Sequence, residues 1–322
     1  MKKSISLALK GMAMGMAEVI PGVSGGTIAF ITGIYEQLLN TIKAFSPSLL
    51  STFKKDGIKG TWAAINGTFL ATLVIGMAVG VVVGVLVISH LLETYPPLVW
   101  AFFFGLIIAS AIYVGRQISK WGLGEIIIFL IGTAIAYTIT VVAPANGSES
   151  LPFVFISGAI AISAFILPGI SGSFILLLMG MYTYIISDTL KPALKTLDPD
   201  KLLIMGVFAL GCLTGLMTLS RVLSWTFKHY RDVTLALLTG FMLGSLNKIW
   251  PWRNAIDWLR DGAGKIILDK DGISPKKILI EENVLPAGYE GEPYVIGVVV
   301  LMLVGFLSVF LLEKLSGTKD LS

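Results

Sequence analysis

Two nearly identical hexapeptides combine helix-breaking residues with hydroxyl groups, PGVSGG at 21–26 and PGISGS at 168–173. Proline and glycine inside an apolar segment stop a helix, and we predict breaks at Pro21, Gly22, Pro168 and Gly169. A helix that restarts there presents free N–H groups and the positive end of its dipole, which favour an anion. Hydroxyls add donors, and glycine lets a ligand approach the backbone. We therefore predict an anion site built from Ser24, Gly25, Gly26, Thr27, Ser171, Gly172 and Ser173.

Close packing of small residues is the alternative explanation for such glycines. It suits the spaced glycines Gly76, Gly80, Gly211 and Gly215. The hexapeptides add proline and occur twice, which exceeds what packing requires.

Two charged residues in apolar segments are candidates to act with this site, because ionisable groups at membrane depth indicate function. The planar donors of Arg221 suit a phosphate, although its long side chain is equally suited to reach the membrane surface. Glu18 lies three residues before the first break and would repel an anion unless it is protonated, which suggests proton coupling. A structural glutamate–arginine pair is the alternative for Glu18.

The composition places this 322-residue chain in a membrane. Hydrophobic residues make up 55% and charged residues 14%, with a mean hydropathy of +0.84, whereas soluble domains are about a quarter charged. The net charge of +4 comes from basic residues between apolar segments, where they set topology, so we expect no nucleic-acid partner. The single cysteine, Cys212, excludes an intramolecular disulfide and a cysteine-based metal cluster.

The chain is an internal duplication. At an offset of 147, the segment 21–39 matches 168–186 at Pro21, Gly22, Ser24, Gly25, Ile28, Gly33 and Tyr35. A second register, at an offset of 135, pairs Gly76 with Gly211 and Gly80 with Gly215. We predict two repeats, 1–145 and 146–322.

Each repeat is predicted to contain one broken-helix hairpin and three spans. The hairpins cover 5–42, with arms 5–20 and 27–42, and 151–187, with arms 151–167 and 174–186. The spans cover 64–92, 97–115, 125–143, 202–224, 233–250 and 294–312, with an extracellular insertion at 251–293. A hairpin that re-enters on one side adds no crossing, so three spans invert the second repeat relative to the first. We therefore predict an all-α polytopic membrane protein of two inverted repeats, as in many secondary transporters.

The distribution of lysine and arginine predicts a cytoplasmic N-terminus. The short loops 90–97 and 144–150, which this topology places outside, contain no Lys or Arg, whereas the predicted cytoplasmic stretches are rich in both. This is the positive-inside pattern.

Enzymatic functions find little support. The GVSG stretch around Ser24 is similar to the nucleophile motif of rhomboid proteases, but that chemistry needs a nearby base, and His90 and His229 lie at span ends. We find no glycine-rich phosphate loop ending in GK[ST] and no cluster of metal ligands. We expect a protein that is not an enzyme, with no cofactor and no metal.

The segments GMAMGMAEVIPGVSGGTIAFITGIYEQLL and LPGISGSFILLLMGMY resemble the polyprenyl-phosphate transporter family, formerly a domain of unknown function. The resemblance covers nearly the whole chain. It implies a protein of the bacterial or archaeal cytoplasmic membrane that returns undecaprenyl phosphate to the cytoplasmic leaflet without ATP. It also implies an acidic residue at the position of Glu18, whereas Arg221 is proposed from this chain alone.

The sequence thus predicts a flippase for a lipid phosphate, with the phosphate bound at the paired motifs and the tail in the bilayer. A transporter of a small soluble anion is the main alternative, and a membrane enzyme or scaffold is a third. The sequence leaves open the prenyl chain length, the coupling ion and the oligomeric state, a homodimer included.

Overall fold

The computed structural model describes residues 2–20, 23–142, 144–145, 147–190, 192–193, 197–258 and 278–316, so the predicted breaks at Pro21 and Gly22 lie outside it. The α-helices, labelled α1 to α13 in chain order, are Lys2–Glu18, Gly25–Ile31, Tyr35–Ala44, Ser48–Ala64, Gly67–Val83, Ser89–Thr94, Pro96–Gly115, Leu123–Val141, Leu151–Ile166, Gly172–Leu178, Pro199–His229, Arg231–Ser245 and Val295–Ser316. Two π-helical segments, Gly84–Ile88 and Tyr184–Leu190, and two strands, β1 Arg253–Trp258 and β2 Ile278–Asn283, complete the regular structure together with the 3₁₀ turn Pro286–Gly288.

Five of the described helices are long and apolar enough to cross a membrane: Gly67–Thr94, which joins α5 to α6, then α7, α8, α11 and α13. They confirm the prediction of a helical, multi-pass membrane protein. The predicted span 233–250 is shorter in the structure, because α12 ends at Ser245. Its 15 residues cover about 22 Å, less than the roughly 30 Å of a bilayer core.

In each predicted hairpin the second arm, 27–42 or 174–186, is interrupted by a further helix break. In the first helical hairpin (α1, α2 and α3) the chain turns at Gly33, with φ 71°, and in the second (α9, α10 and Tyr184–Leu190) at Gly180, with φ 68°. The N–H of Ile34 bonds Ala29, and the equivalent N–H of Met181 bonds Leu176. This is the glycine C-cap called the Schellman motif, and it ends α2 and α10 after seven residues each.

The helix pairs of the two repeats correspond. Helix α1 packs on α5 and α9 packs on α11, while α7 packs on α13 and α8 on α12. Gly76 lies against the backbone of Ala8, and Gly211 lies against Phe155, which occupies the matching position in the second repeat. The packing role predicted for the spaced glycines is thereby confirmed.

Two elements were not predicted. Helix α4 kinks at Gly57, which has φ 64°, and carries exposed apolar side chains beside Lys54, Lys55 and Lys59. The predicted insertion 251–293 contains the antiparallel β-hairpin β1–β2, in which Arg253 pairs with Asn283 and Ala255 with Glu281. Every residue of α2 is buried, so the end of the first motif that α2 contains lies in the interior of the protein.

Candidate functional site

The first motif is capped by its own serine. Ser24 has extended backbone angles and accepts a hydrogen bond from the N–H of Gly26 at 3.0 Å, as an N-cap serine does. Its hydroxyl also donates to the carbonyl of Phe165 at 3.0 Å. Ser24 and Thr27 are fully buried. The polar groups at the start of α2 are therefore used within the protein.

The structure brings the two motifs into direct contact. The Thr27 hydroxyl oxygen accepts the N–H of Gly169 at 3.1 Å, and the Tyr35 hydroxyl donates to the carbonyl of Ile166 at 3.2 Å. Gly169 has φ 83°, and an added Cβ would meet the backbone of Met242, so only glycine fits this turn. The break predicted at Pro168 and Gly169 is present, since α9 ends at Ile166 and α10 starts at Gly172.

Glu18 faces the start of α2. Its Oε1 accepts the N–H of Gly25 at 2.5 Å, one of the donors predicted for the anion. A carboxylate at a helix start is favourable for the same reason that an anion is. Among the described residues both salt bridges involve Glu281, so the alternative of a glutamate–arginine pair at Glu18 is not found in that part of the chain.

Arg221 is bonded away from both motifs. Its Nη1 donates to the carbonyl of Met217 at 2.7 Å and its Nη2 to that of Phe45 at 3.0 Å. The guanidinium thus ties α11 to the end of α3. Further along α11, Ser224 and Lys228 line a cavity of about 300 Å³ together with Glu36 and Lys43.

The serine of the second motif is less engaged by the protein than its counterpart Ser24. Ser171 is the N-cap of α10 but makes no capping bond with its side chain; its hydroxyl lies 3.0 Å from that of Ser173. Ser171 is 2% exposed, and Ser173 is exposed. A narrow cavity reaches this motif, and its walls include Gly169, Ser171 and Lys248.

A larger cavity, of about 400 Å³, shares Thr140, Phe174 and Lys248 with the narrow one and is also lined by Arg253 and Glu281. The ammonium of Lys248 lies 4.8 Å from the ring centroid of Phe174, which stands at the position of Thr27 in the second repeat. Arg253 stacks on Trp100, 4.1 Å from its ring centroid. Both cations therefore lie on the approach to the second motif.

Lys248, Arg253 and Glu281 were missed from the sequence. Lys248 falls inside the predicted span 233–250, and the rule that flags ionisable residues at membrane depth identifies it without further information. Arg253 and Glu281 are brought together by β1–β2 pairing, which nothing in the sequence indicated. Burial lowers the pKa of Lys248 below its ordinary value, although Glu281 opposes the shift.

The assembled groups can bind an anion but offer little for covalent chemistry. The described part of the chain contains no group of three His, Cys, Asp or Glu that could hold a metal ion. What it offers is hydroxyls, backbone N–H groups and two largely buried cations, the donors that bind a phosphate.

Comparison with known proteins agrees with this chemistry. Residues 14–267 match the family described as undecaprenyl phosphate translocase-like. A polyprenyl-phosphate transporter of Vibrio cholerae is 49% identical over 261 residues, which cover 81% of this chain and 82% of the relative. A polyprenyl-phosphate transporter of Staphylococcus aureus is 32% identical over 259 residues, or 76% of this chain and 85% of the relative.

No solved structure matches the chain. Both relatives carry the names of transporters and neither carries that of an enzyme, in agreement with the prediction from the sequence. The resemblance noted from the two motifs is confirmed, and the chain belongs to the undecaprenyl phosphate translocase-like family.

Proposed function

We propose that this protein moves undecaprenyl phosphate from the outer to the cytoplasmic leaflet, and so returns the carrier lipid to cell-wall synthesis without covalent chemistry. The observation that carries the proposal is the meeting of two broken-helix motifs at the buried centre, where the Thr27 hydroxyl holds the N–H of Gly169. The second motif adjoins a cavity lined by cations. The names of both relatives support the same substrate class.

An inverted repeat provides the two access states. Gly105 lies against Met302, and the matching Gly240 lies against Phe129; Gly305 lies against Phe102, and Gly132 lies against Leu237. These glycine contacts of one repeat with the other form two reciprocal pairs, which a two-fold relation would produce. The distribution of lysines supports a cytoplasmic N-terminus, which puts the β-hairpin outside and α3 and α4 inside.

An apolar cavity supports a lipid over a soluble anion. It measures about 540 Å³ and lies between α7, α8 and α12, with Ile108, Ile112, Phe129 and Leu243 among its walls and Arg116 as its charged lining residue. A prenyl chain matches such a lining, whereas a small anion gains nothing from it.

The phosphate is proposed to pass from the second motif to the first. Ser171, Gly172 and Ser173 receive it, and Ser24, Gly25, Gly26 and Thr27 bind it after the motifs separate. Arg221 is then placed on the release side, with Lys43 and Lys228 of the neighbouring cavity. We propose that protonation of Glu18 frees the Gly25 N–H for the phosphate, and that release of the proton to the cytoplasm restores the bond seen here.

Proton coupling has an energetic reason. The membrane potential opposes inward movement of an anion by about 2.3 kcal/mol per charge per 100 mV. A proton carried inward with the phosphate offsets that cost.

The proposal is tested with purified protein in liposomes that carry fluorescent undecaprenyl phosphate in one leaflet. We expect the protein to speed its movement across the bilayer and to leave fluorescent undecaprenol at the rate of protein-free liposomes. Uptake of radiolabelled inorganic phosphate is measured in parallel. If phosphate enters the liposomes and the lipid does not cross, the protein is a carrier of soluble anions.

A further inference from the structure

The lining of the 400 Å³ cavity holds a carboxylate between two cations. Oε2 of Glu281 lies 3.1 Å from Nζ of Lys248 and 2.6 Å from Nη1 of Arg253. One oxygen thus accepts from both cations, which is the arrangement that a phosphate oxygen makes with lysine and arginine. Glu281 comes from β2, whereas Lys248 lies just beyond α12.

Arg253 has donor capacity that the protein does not use. Its side chain is 4% exposed, and its Nε has no hydrogen-bond partner among the described residues. Its Nη1 is shared between Glu281 and the carbonyl of Lys248, at 2.7 Å from the latter. A buried N–H without a partner is costly, so the guanidinium is positioned for an acceptor that it does not yet hold.

The surroundings suit the head of a phosphomonoester. Thr140, Asn247 and Asn283 add neutral polar groups to the wall, while the exposed Glu282 adds a negative charge at its edge. Lys248, Arg253 and Glu281 together carry one net positive charge. A phosphomonoester carries about −1.5 to −2 charges near neutral pH and can use the arginine fork with two oxygens, which a single carboxylate oxygen does not.

We propose that Lys248 and Arg253 form the receiving site for the phosphate head of the lipid, and that Glu281 occupies this site as an internal competitor until the phosphate displaces it. The phosphate then lies beside Phe174 and next to Ser171 and Ser173, from which it enters the second motif. This inference rests on the proposed function and adds to it the residues of first contact. None of the three belongs to either hexapeptide.

Binding is measured by calorimetry on the full chain in nanodiscs of zwitterionic lipid, with farnesyl phosphate, farnesol and inorganic phosphate as probes. We expect farnesyl phosphate to bind and farnesol to bind far more weakly. Lys248→Gln should weaken the binding of farnesyl phosphate by about tenfold or more, since a charged hydrogen bond is lost. Lys248→Arg should restore that binding. Glu281→Gln should instead strengthen binding about tenfold, because the competitor loses its charge. Lys59→Gln, on the exposed face of α4, is the matched control and should change nothing.

The outcomes separate this inference from the proposed function. If wild type binds farnesyl phosphate and Lys248→Gln binds it equally well, the receiving site is wrong while the transport proposal stands. Weaker binding by Glu281→Gln would mean that Glu281 supports the site and does not compete for it. If inorganic phosphate binds as tightly as farnesyl phosphate, the site takes the free anion and the lipid substrate is contradicted. No binding of any probe to wild type, together with no lipid movement in liposomes, overturns both.

Discussion

The serines of the two motifs occupy equivalent positions but make different contacts. Ser24 makes two hydrogen bonds inside the protein, whereas the Ser171 hydroxyl contacts only that of Ser173 among the described residues. A hydroxyl that forms hydrogen bonds with buried polar groups stabilises the fold. A hydroxyl that forms no such bonds is available to a ligand. The same residue type thus supports the fold in one repeat, and we propose that it serves binding in the other.

Alanine at each position should separate these roles. Ser24→Ala leaves the Phe165 carbonyl and the Gly26 N–H unpaired, which costs about 1–3 kcal/mol, so we expect a lower melting temperature in detergent. Ser171→Ala should melt like wild type and lose lipid transport. Equal melting temperatures for the two variants would contradict this division.

Glu18 is expected to make transport depend on the pH gradient. Glu18→Gln keeps an oxygen that can accept the Gly25 N–H, so the fold should persist, but it cannot exchange a proton. In liposomes we expect wild-type lipid movement to respond to an imposed pH gradient and that of Glu18→Gln not to respond. Asp56→Asn, which changes an exposed carboxylate on α4, is the control. A variant of Glu18 that still responds would exclude it as the coupling group.

Lys248 should make phosphate binding sensitive to alkaline pH. Burial lowers the pKa of Lys248, with Glu281 raising it and Arg253 lowering it further; Glu282 also lines the cavity. A lysine with a lowered pKa loses its proton at a lower pH than usual, so farnesyl phosphate should dissociate as the pH rises through that value. Lys248→Arg stays charged and should hold the ligand to higher pH. Identical pH profiles would show that Lys248 does not contact the phosphate.

Among the elements, the glycine contacts between helices fix how the hairpins attach to the spans. Gly80 lies against the backbone of Met12, and Gly215 lies against the matching Ala159. Each hairpin is thereby held to the long helix that follows it in its own repeat. We propose that each hairpin and its long helix move as one unit, as an alternating-access carrier needs.

A methyl group added at Gly80 tests how firmly the first hairpin is attached to α5. Gly80→Ala would collide with the backbone of Met12 and separate α1 from α5, so we expect a clear fall in thermal stability. Gly206→Ala changes a glycine of α11 that has open space around it, and it should be neutral or stabilising by up to about 1 kcal/mol from helix propensity. A Gly80→Ala protein as stable as Gly206→Ala would mean that the helices repack freely.

The sequence predicted the hairpins and their contact because the duplication repeats both the break and the residues around it. It did not predict that the second arm of the first hairpin breaks again at Gly33, since a glycine within a helical pattern is often tolerated. Nor did it indicate that α12 stops at Ser245, because Leu246 and Ile249 continue the apolar pattern while Asn247 and Lys248 turn toward a cavity. Pairing of β1 with β2 depends on contacts distant in sequence, which local patterns do not contain.

At the scale of the molecule, the two ends differ in their access to the centre. The end with the β-hairpin has cavities that reach the second motif. At the other end, Arg221 bridges α11 to Phe45, and the described residues of the first motif, 23–26, are buried. This difference supports the proposal that the lipid phosphate reaches the second motif from the β-hairpin side.

The most direct measurement is thiol labelling of the two motifs in membrane vesicles, after the single Cys212 is replaced by alanine. A membrane-impermeant reagent should reach Ser173→Cys from the β-hairpin side, and undecaprenyl phosphate should protect it while undecaprenol does not. Ser24→Cys should stay unlabelled from that side under both conditions. Labelling of Ser173→Cys that undecaprenyl phosphate leaves unchanged would contradict the claim that the second motif receives the lipid phosphate.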